Sequence, residues 1–208
     1  MYYKKDGLDE LVNRFKNRII FPIQGYYNNF IGCGGRTVLP NALAKYINSP
    51  ESVFFKKRNI LYNLSNAKQN IRSKKNMLIC EGYMDVISLY DKKIKTAVAP
   101  LGTSLTESHL VLSWKYVSKP TLMFDGDTSG LKASFKSAIM SLPYLTPSKL
   151  LQFVILPNQY DPDTYINEFS MNEFAKYLKN PLSIVNFIFE ESSKSIDLSK
   201  SDNKIIFD

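Results

Sequence analysis

Six carboxylates stand in three short acidic motifs in the second half of the chain. Each motif follows an apolar run, at residues 77–80, 121–124 and 153–156. If these runs are strands of a parallel sheet, their carboxyl ends deliver the acidic side chains into one crevice. Mg²⁺ prefers oxygen ligands, usually one or two carboxylates with waters and substrate phosphates, so the pattern indicates metal-dependent phosphoryl or nucleotidyl transfer. The six are Glu81 and Asp85 in EGYMD, Asp125 and Asp127 in DGD, and Asp161 and Asp163 in DPD.

Each motif has a simpler interpretation when it is taken alone. Asp, Gly and Pro are common turn formers, so an isolated DGD or DPD is typical of a turn. Three acidic turns after three apolar runs, each followed by a helical pattern, favour one shared metal site instead. Side chains two residues apart on extended backbone share a face, which would aim both carboxylates of an Asp-x-Asp motif at the same ion. Gly82 and Gly126 would let the backbone approach a metal or phosphate where a Cβ would crowd it.

The charge of the whole chain has the opposite sign to its motifs. The formal net charge is +8, from 27 Lys and Arg against 19 Asp and Glu. A basic surface around an acidic pocket suits a nucleic-acid enzyme, because cationic side chains neutralise backbone phosphates while a metal handles the reacting one. A general compositional bias toward Lys, Asn, Ile and Tyr is the alternative explanation of the same charge.

Length and composition predict a protein with a proper core. The 208 residues, 44% of them hydrophobic, suit one ordinary domain or two small ones. We find no long apolar segment and no signal-peptide pattern, so the expectation is a cytoplasmic protein without a membrane partner. Two cysteines and one histidine exclude a Cys/His zinc site within this sequence.

The pattern of elements changes near residue 75. Residues 18–38 predict a β-hairpin, residues 45–51 a loop and residues 63–71 a short helix. Beyond residue 75, strand and helix patterns alternate, which predicts an α/β domain with a parallel sheet within an α+β chain. Helices are predicted at 85–90, 105–114, 129–140 and 171–179, a further short strand at 96–99, and a polar, frayed tail from residue 192.

Ordered motifs across most of the chain resemble the catalytic core of bacterial DNA primases, the DnaG family, whose central module has the Toprim fold. From about residue 8 to residue 190 the matching blocks occur in the family's order. The upstream blocks are RFKNRIIFPI, IGCGGR, KYINSPE and FKKRNILY, and the downstream blocks are EGYMDVISLY, APLGTSLTESHL, FDGDTSGLKASFKSA and LPNQYDPDTYI.

The resemblance implies three segments. Residues 1–75 would form a basic, β-rich subdomain that faces nucleic acid, residues 76–170 the Toprim domain, and residues 171–208 a helical segment and tail. A full primase of this kind also has a zinc ribbon before the core and a helicase-docking domain after it. We therefore expect this chain to be a fragment or a reduced protein, with the replicative helicase as a partner only of a longer parent.

The resemblance also implies roles for the acidic residues. Glu81 corresponds to the Toprim glutamate, which would act in acid–base chemistry or order the metal, and it joins Asp125 and Asp127 as the predicted catalytic residues. All six carboxylates fall on metal-site positions for Mg²⁺ or Mn²⁺. The metal would hold the incoming triphosphate and lower the pKa of the attacking hydroxyl.

The basic residues implied by the resemblance belong to the upstream blocks. They would line a groove for template and nucleotide, where they contact phosphates without reading bases. Lys57 ranks above Lys68, because Lys68 is one position earlier than the family pattern. The set is Arg18, Arg36, Lys45, Asn48, Lys57 and Lys68.

The implied activity is synthesis of short RNA primers. The partners would be single-stranded DNA template, ribonucleoside triphosphates and the RNA–DNA hybrid that forms. Two alternatives remain: another Toprim enzyme, of the nuclease or topoisomerase type, and a degenerate protein that binds nucleic acid without priming. The single histidine, His109, is predicted to be a surface or packing residue, because no nucleophile or metal motif accompanies it.

Overall fold

The computed structural model describes residues 2–4 and 11–194. The start of the family resemblance, at residue 8, and most of the polar tail, from residue 195, lie outside the described residues. No helix of the described segments is long and apolar enough to cross a membrane.

The first part of the chain forms two antiparallel sheets. Two short strands, β1 (Tyr2–Lys4) and β2 (Leu11–Asn13), pair with each other. The second sheet contains β3 (Arg18–Gln24), β4 (Phe30–Thr37) and β5 (Tyr46–Asn48). Its strands β3 and β4 are the hairpin predicted at residues 18–38.

The prediction of a loop at residues 45–51 was wrong at its centre. Tyr46 pairs with Arg36 and Asn48 with Gly34, so β5 is a true edge strand. Three residues carry too little periodicity to be identified without their partner strand.

Strands and helices alternate in the second part, as predicted. Its five-stranded sheet has the order β10-β9-β8-β6-β7, parallel except for β10. The elements are α1 (Leu64–Lys74), β6 (Leu78–Ile79), α2 (Tyr83–Asp91), β7 (Ala97–Val98), α3 (Glu107–Trp114), β8 (Thr121–Leu122), α4 (Thr128–Ser141), β9 (Gln152–Phe153), α5 (Pro162–Glu168), α6 (Met171–Lys179), β10 (Leu182–Ser183) and α7 (Ile184–Lys194), with 3₁₀ turns at Lys57–Asn59 and Leu142–Tyr144.

Several details differ from the prediction, three of them in or next to the acidic motifs and the tail. The helix expected at 85–90 begins at Tyr83, which places Asp85 in its first turn. The DPD motif starts α5, a helix that the sequence pattern did not reveal, with Pro162 in the first turn, where proline is tolerated. The first residues of the polar tail, 192–194, belong to α7.

The parallel sheet has a hydrophobic cluster on each face. Neighbouring strand residues such as Leu78 and Ile79 belong to different clusters, because successive side chains point to opposite faces. One cluster includes residues of α1, α3, α4 and α7, and the other residues of α2, α5 and α6. The sheet is thus a middle layer, and its strand ends are free to build a site.

A third cluster joins the two sheets. Phe21 of β3 stacks on Tyr83 of α2 with 5.3 Å between ring centroids. A Cβ on Gly34 would lie only 2.7 Å from the Tyr83 hydroxyl, so this glycine gives the ring its space against β4. The three-stranded sheet β3-β4-β5, which we call the basic sheet, is therefore packed against the first turn of the helix that carries Asp85.

Of the two roles predicted for His109, surface or packing, the structure shows packing. His109 is fully buried, its Nδ1 accepts from the Thr106 N–H at 3.2 Å, and its Nε2 lies 3.0 Å from the Lys57 carbonyl oxygen. The first of these contacts caps α3, and the second ties α3 to the 3₁₀ turn.

Candidate functional site

Four of the six predicted carboxylates line one cavity at the carboxyl ends of the parallel strands. The cavity has a volume of about 250 Å³. Glu81 follows β6 and Asp125 follows β8, the strand that pairs with β6 in parallel. Asp161 arrives from the start of α5. The four acidic lining residues are Glu81, Asp85, Asp125 and Asp161.

The ends of the two central strands are joined by a hydrogen bond. The Asp125 N–H donates to Glu81 Oε1 at 3.3 Å. Asp125 Oδ1 is buried and has no hydrogen-bond partner among the described residues. A buried carboxylate oxygen without a donor is costly, and a cation would satisfy it.

Burial and mutual repulsion raise the pKa values of these acids. The pKa of Asp85, which is only 6% exposed, is raised to about 8 by burial first and then by the charges of Asp125 and Asp161. Burial, then Glu81, Asp161 and Asp127, raise the pKa of Asp125 to about 7, against the opposing charge of Lys45. The pKa of Glu81 is raised mainly by burial. A cation bound between these carboxyl groups would stabilise their ionised forms and lower their pKa values.

Asp127 and Asp161 also cap helices. Asp127 Oδ1 accepts from the Gly130 N–H at 2.7 Å at the start of α4. Asp161 Oδ1 accepts from the Thr164 N–H at 2.6 Å at the start of α5. The turn interpretation and the metal interpretation are compatible, because a cap uses one carboxylate oxygen and leaves the other.

Asp163 contacts α2 and does not line the cavity. Its Oδ1 accepts hydrogen bonds from the Ser88 hydroxyl and, at 2.9 Å, from Asn167 Nδ2. Asp127 and Asp163 thus stand beside the cavity, and the structure brings the other four together.

Gly126 presses the DGD loop against the DPD loop. A Cβ at this position would lie 2.2 Å from the Pro157 carbonyl oxygen. The Gly126 N–H donates to the Tyr160 carbonyl oxygen at 2.8 Å. The crowding predicted at this glycine comes from the chain's own backbone. At Gly82, a Cβ would meet only Asp85 Oδ2, at an ordinary 3.5 Å.

Lys45 and Asn48 are the predicted basic-block residues that line the acidic cavity. Asn48 Nδ2 donates to the Leu101 oxygen at 2.9 Å, and its Oδ1 accepts from the Tyr83 hydroxyl. Tyr46 also lines the cavity, between Arg36, 5.7 Å from its ring centroid, and Lys45, 5.9 Å away. Sequence reasoning missed Tyr46, although it stands inside KYINSPE.

The remaining basic candidates lie outside that cavity. Arg18 Nη1 donates to the carbonyl oxygens of Gly35 and Lys45 at 3.4 and 3.3 Å, which ties the strands together. Lys57 Nζ pairs with Glu51 at 3.8 Å. Lys68 Nζ donates to the Tyr26 carbonyl oxygen at 2.9 Å.

The donor set fits a divalent cation of the magnesium type. Among residues 2–4 and 11–194, no three His, Cys, Asp or Glu side chains are already arranged as a metal cage. Mg²⁺ does not require one, because it keeps several waters and takes one or two carboxylates together with phosphates. Glu81, Asp85, Asp125 and Asp161 are the residues that would hold it, with the unpaired Asp125 Oδ1 as the first ligand.

Comparison with known families matches both parts of the chain. Residues 1–68 match the DNA primase catalytic core, N-terminal domain. Residues 75–148 match the Toprim domain, which typically binds a divalent metal.

Curated relatives extend the match along the chain. The DNA primase of Buchnera aphidicola is 40% identical over 194 residues, covering 93% of this chain and 33% of that protein. The DNA primase of Rickettsia felis is 40% identical over 188 residues, covering 89% of this chain and 31% of that protein. The chain thus spans about a third of the length of these relatives.

Solved structures share the fold. The Escherichia coli primase catalytic core is 34% identical with a TM-score of 0.89, covering 100% of this chain and 66% of that one. A DnaG primase catalytic domain bound to single-stranded DNA is 34% identical with a TM-score of 0.88, covering 99% of this chain and 63% of that one. The chain belongs to the DnaG primase family and carries that family's catalytic-core N-terminal domain followed by its Toprim domain.

Proposed function

We propose that this chain catalyses metal-dependent nucleotidyl transfer, joining ribonucleoside triphosphates into a short RNA primer on single-stranded DNA. The observation that carries the proposal is the cavity in which Glu81, Asp85, Asp125 and Asp161 converge beside Lys45. Bound Mg²⁺ or Mn²⁺ would supply charge for the triphosphate and activation of the attacking 3′ hydroxyl. The related DnaG domain that binds single-stranded DNA supports the choice of template.

The acidic residues divide the work in this proposal. Asp125 presents the unpaired oxygen, and Asp85 and Asp161 add charge around it. Glu81 accepts a hydrogen bond from the Asp125 N–H, and burial raises its pKa, which suits a group that takes or orders a proton. Asp127 contributes through the oxygen that does not cap α4. Asp163 supports the site from behind, through Ser88.

The basic residues position the strand and the nucleotide. Lys45 lines the acidic cavity, and its charge opposes the rise of the Asp125 pKa, so it is assigned to a phosphate of the incoming triphosphate. Arg36, which lies over Tyr46, is assigned to the template backbone at the rim. Arg18 holds the β-strands in order. Lys57 and Lys68 lie outside the acidic cavity, where they attract phosphates of the nucleic acid further along the strand.

The segment boundaries form part of the proposal. Residues 1–75 present the basic sheet, residues 76–170 the metal cavity, and residues 171–208 a helical segment that in its described part, α6 and α7, packs on both faces of the parallel sheet. The RNA–DNA hybrid would leave from the acidic cavity past Lys45.

Primer synthesis with labelled ribonucleotides on single-stranded DNA tests the proposal. The chain is expected to make metal-dependent RNA with triphosphate 5′ ends, and Asp125→Ala is expected to abolish it. Asp91→Ala, which removes an exposed carboxylate at the end of α2, is the matched control and should leave activity unchanged. Strand cleavage in place of synthesis would assign the site to a nuclease, and absence of any metal-dependent product would refute the enzymatic proposal for this chain.

A further inference from the structure

The turn between β3 and β4 carries a cluster of exposed aromatic side chains. Tyr26, Tyr27 and Phe30 are 55, 86 and 73% exposed. Tyr26 and Tyr27 are in edge contact, with 5.1 Å between ring centroids. Large aromatic residues that gather on a surface mark an interaction site more often than those that occur singly. We call these three residues the hairpin tip.

The hairpin tip is fixed to the helices beneath it. Lys68 Nζ donates to the Tyr26 carbonyl oxygen at 2.9 Å and lies 5.0 Å from the Tyr26 ring centroid. The Ser65 hydroxyl donates to Gln24 Oε1 at 3.1 Å, just before the turn. These contacts hold the turn and the Tyr26 ring on α1, so the backbone that carries Tyr27 and Phe30 is preorganised for a ligand.

The charge of the segment that contains the hairpin tip favours a polyanion as the partner. Residues 11–75 contain twelve Lys and Arg residues and one carboxylate, Glu51. Arg72 lies 5.4 Å from the ring centroid of Tyr116, a residue that lines the same small cavity as Tyr26 and Lys68. Proteins that bind single-stranded nucleic acid combine aromatic rings, which stack on bases, with cationic side chains, which contact phosphates.

Four cavities with overlapping sets of lining residues extend from the carboxylates toward the hairpin tip. The acidic cavity shares Glu81, Pro100 and Gly102 with a neighbouring cavity of about 350 Å³. That cavity shares Lys136 and the backbone around Ser104 with a third, of about 650 Å³, which Arg58 also lines. The third shares Asn59 with an apolar cavity of about 130 Å³ beneath Tyr26. We call this series the lateral groove.

We propose that the hairpin tip is a base-stacking platform for single-stranded DNA whose backbone follows the lateral groove to the acidic cavity. Tyr27 and Phe30 stack on bases, while Lys68, Arg72, Arg58 and Lys136 contact successive phosphates. The inference rests on the proposed function, because the strand that it places is the template. It adds a contact that does not touch the reacting atoms and so changes binding rather than chemistry.

Fluorescence anisotropy with single-stranded DNA, in EDTA and over a salt series, tests the platform. Tyr27→Ala and Phe30→Ala are each expected to weaken binding about fivefold or more, while Tyr27→Phe keeps the affinity. Tyr90→Ala is the matched control: Tyr90 is also an exposed tyrosine beside a lysine, Lys95, at 5.6 Å, but it lies on α2. Arg72→Ala is expected to reduce the salt slope by about one, and Tyr27→Ala to leave the slope unchanged.

An oligonucleotide of the same length with abasic sites separates stacking from a structural effect. The native chain should bind it more weakly than normal DNA, and Tyr27→Ala should cause no further loss. Equal binding of normal and abasic DNA by the native chain, or full affinity in both aromatic variants, would overturn the inference while leaving primer synthesis intact. Failure of the native chain to bind DNA would overturn it together with the proposed template.

Discussion

The N–H of Asp125 donates a 3.3 Å hydrogen bond to Oε1 of Glu81, joining the ends of two neighbouring parallel strands. This backbone hydrogen bond thereby holds together two carboxylates whose negative charges repel each other. Glu81 helps to raise the pKa of Asp125, and Asp125 helps to raise that of Asp85. The fold thus maintains an electrostatic strain that a divalent cation would relieve.

Removal of one of these charges should stabilise the metal-free chain. Asp125→Asn keeps the shape of the side chain but ends its repulsion of Asp85 and Glu81. We expect its melting temperature in EDTA to rise by about 2–4 °C, the shift that about 1 kcal/mol gives in a chain of this size. Mg²⁺ should raise the melting temperature of the native chain and not that of the variant. Differential scanning fluorimetry measures both melting temperatures, with Asp91→Asn as the control. A lower melting temperature of Asp125→Asn than of the native chain in EDTA would contradict the proposed repulsion between the carboxylates.

The raised pKa of Asp85 gives stability a pH dependence. Its folded pKa is about 8, against an ordinary value of 3.8. Between these values the folded chain keeps a proton that the unfolded chain has released, so the free energy of unfolding falls as pH rises. One proton contributes a slope of up to about 1.4 kcal/mol per pH unit.

Denaturant titrations in EDTA between pH 5 and pH 9 would measure this slope. Asp85→Asn should flatten the pH dependence, because the variant has no proton to release at this position. Saturating Mg²⁺ should oppose the decline, since metal binding requires ionised carboxylates and strengthens with pH. The same slope in the variant and in the native chain would mean that Asp85 does not retain its proton.

Local patterns predicted much of the fold. The strand–helix alternation placed the acidic motifs at the strand ends, and the helix predicted at 171–179 matches Met171–Lys179. Strand β5 could not be identified from its own residues, since Tyr46 and Asn48 become a strand by pairing with β4.

The positions of the basic side chains were harder to predict. Lys57 and Lys68 contact Glu51 and the Tyr26 carbonyl, partners that no motif indicates. Sequence order placed these lysines in the right segment, but tertiary contacts decide which way each ammonium points. Lys45 reaches the acidic cavity because it precedes β5, whose position depends on β4.

Two glycines in the acidic motifs should respond differently to alanine. A Cβ at Gly126 would collide with the carbonyl oxygens of Pro157 and Leu156, at 2.2 and 2.6 Å, and backbone cannot move aside cheaply. Gly126→Ala should therefore separate the DGD and DPD loops and cost several kcal/mol of stability, on the order of an overpacked core position. Gly82→Ala should be tolerated, since its Cβ would meet only Asp85 Oδ2 at 3.5 Å. Circular dichroism melts of both variants check this, and equal stability of the two would contradict it.

Asn48 should matter for stability as well as for binding. Its Oδ1 accepts from the Tyr83 hydroxyl and its Nδ2 donates to the Leu101 oxygen, so it bridges β5 to α2 and to the loop after β7. Asn48→Ala and Tyr83→Phe should each cost about 1–3 kcal/mol, because each leaves a half-buried polar group unpaired. The double variant should cost less than the two losses together, since both remove the same bond.

Denaturant unfolding of the two single variants and the double variant measures this coupling, with Tyr90→Phe, an exposed tyrosine, as the neutral control. Strictly additive losses would show that the two side chains act independently. DNA binding well below the melting temperature then separates two roles. Loss in Asn48→Ala alone would assign the amide to the nucleic acid, whereas equal loss in Tyr83→Phe would mean that the bridge acts by positioning β5, and with it Lys45, beside the carboxylates.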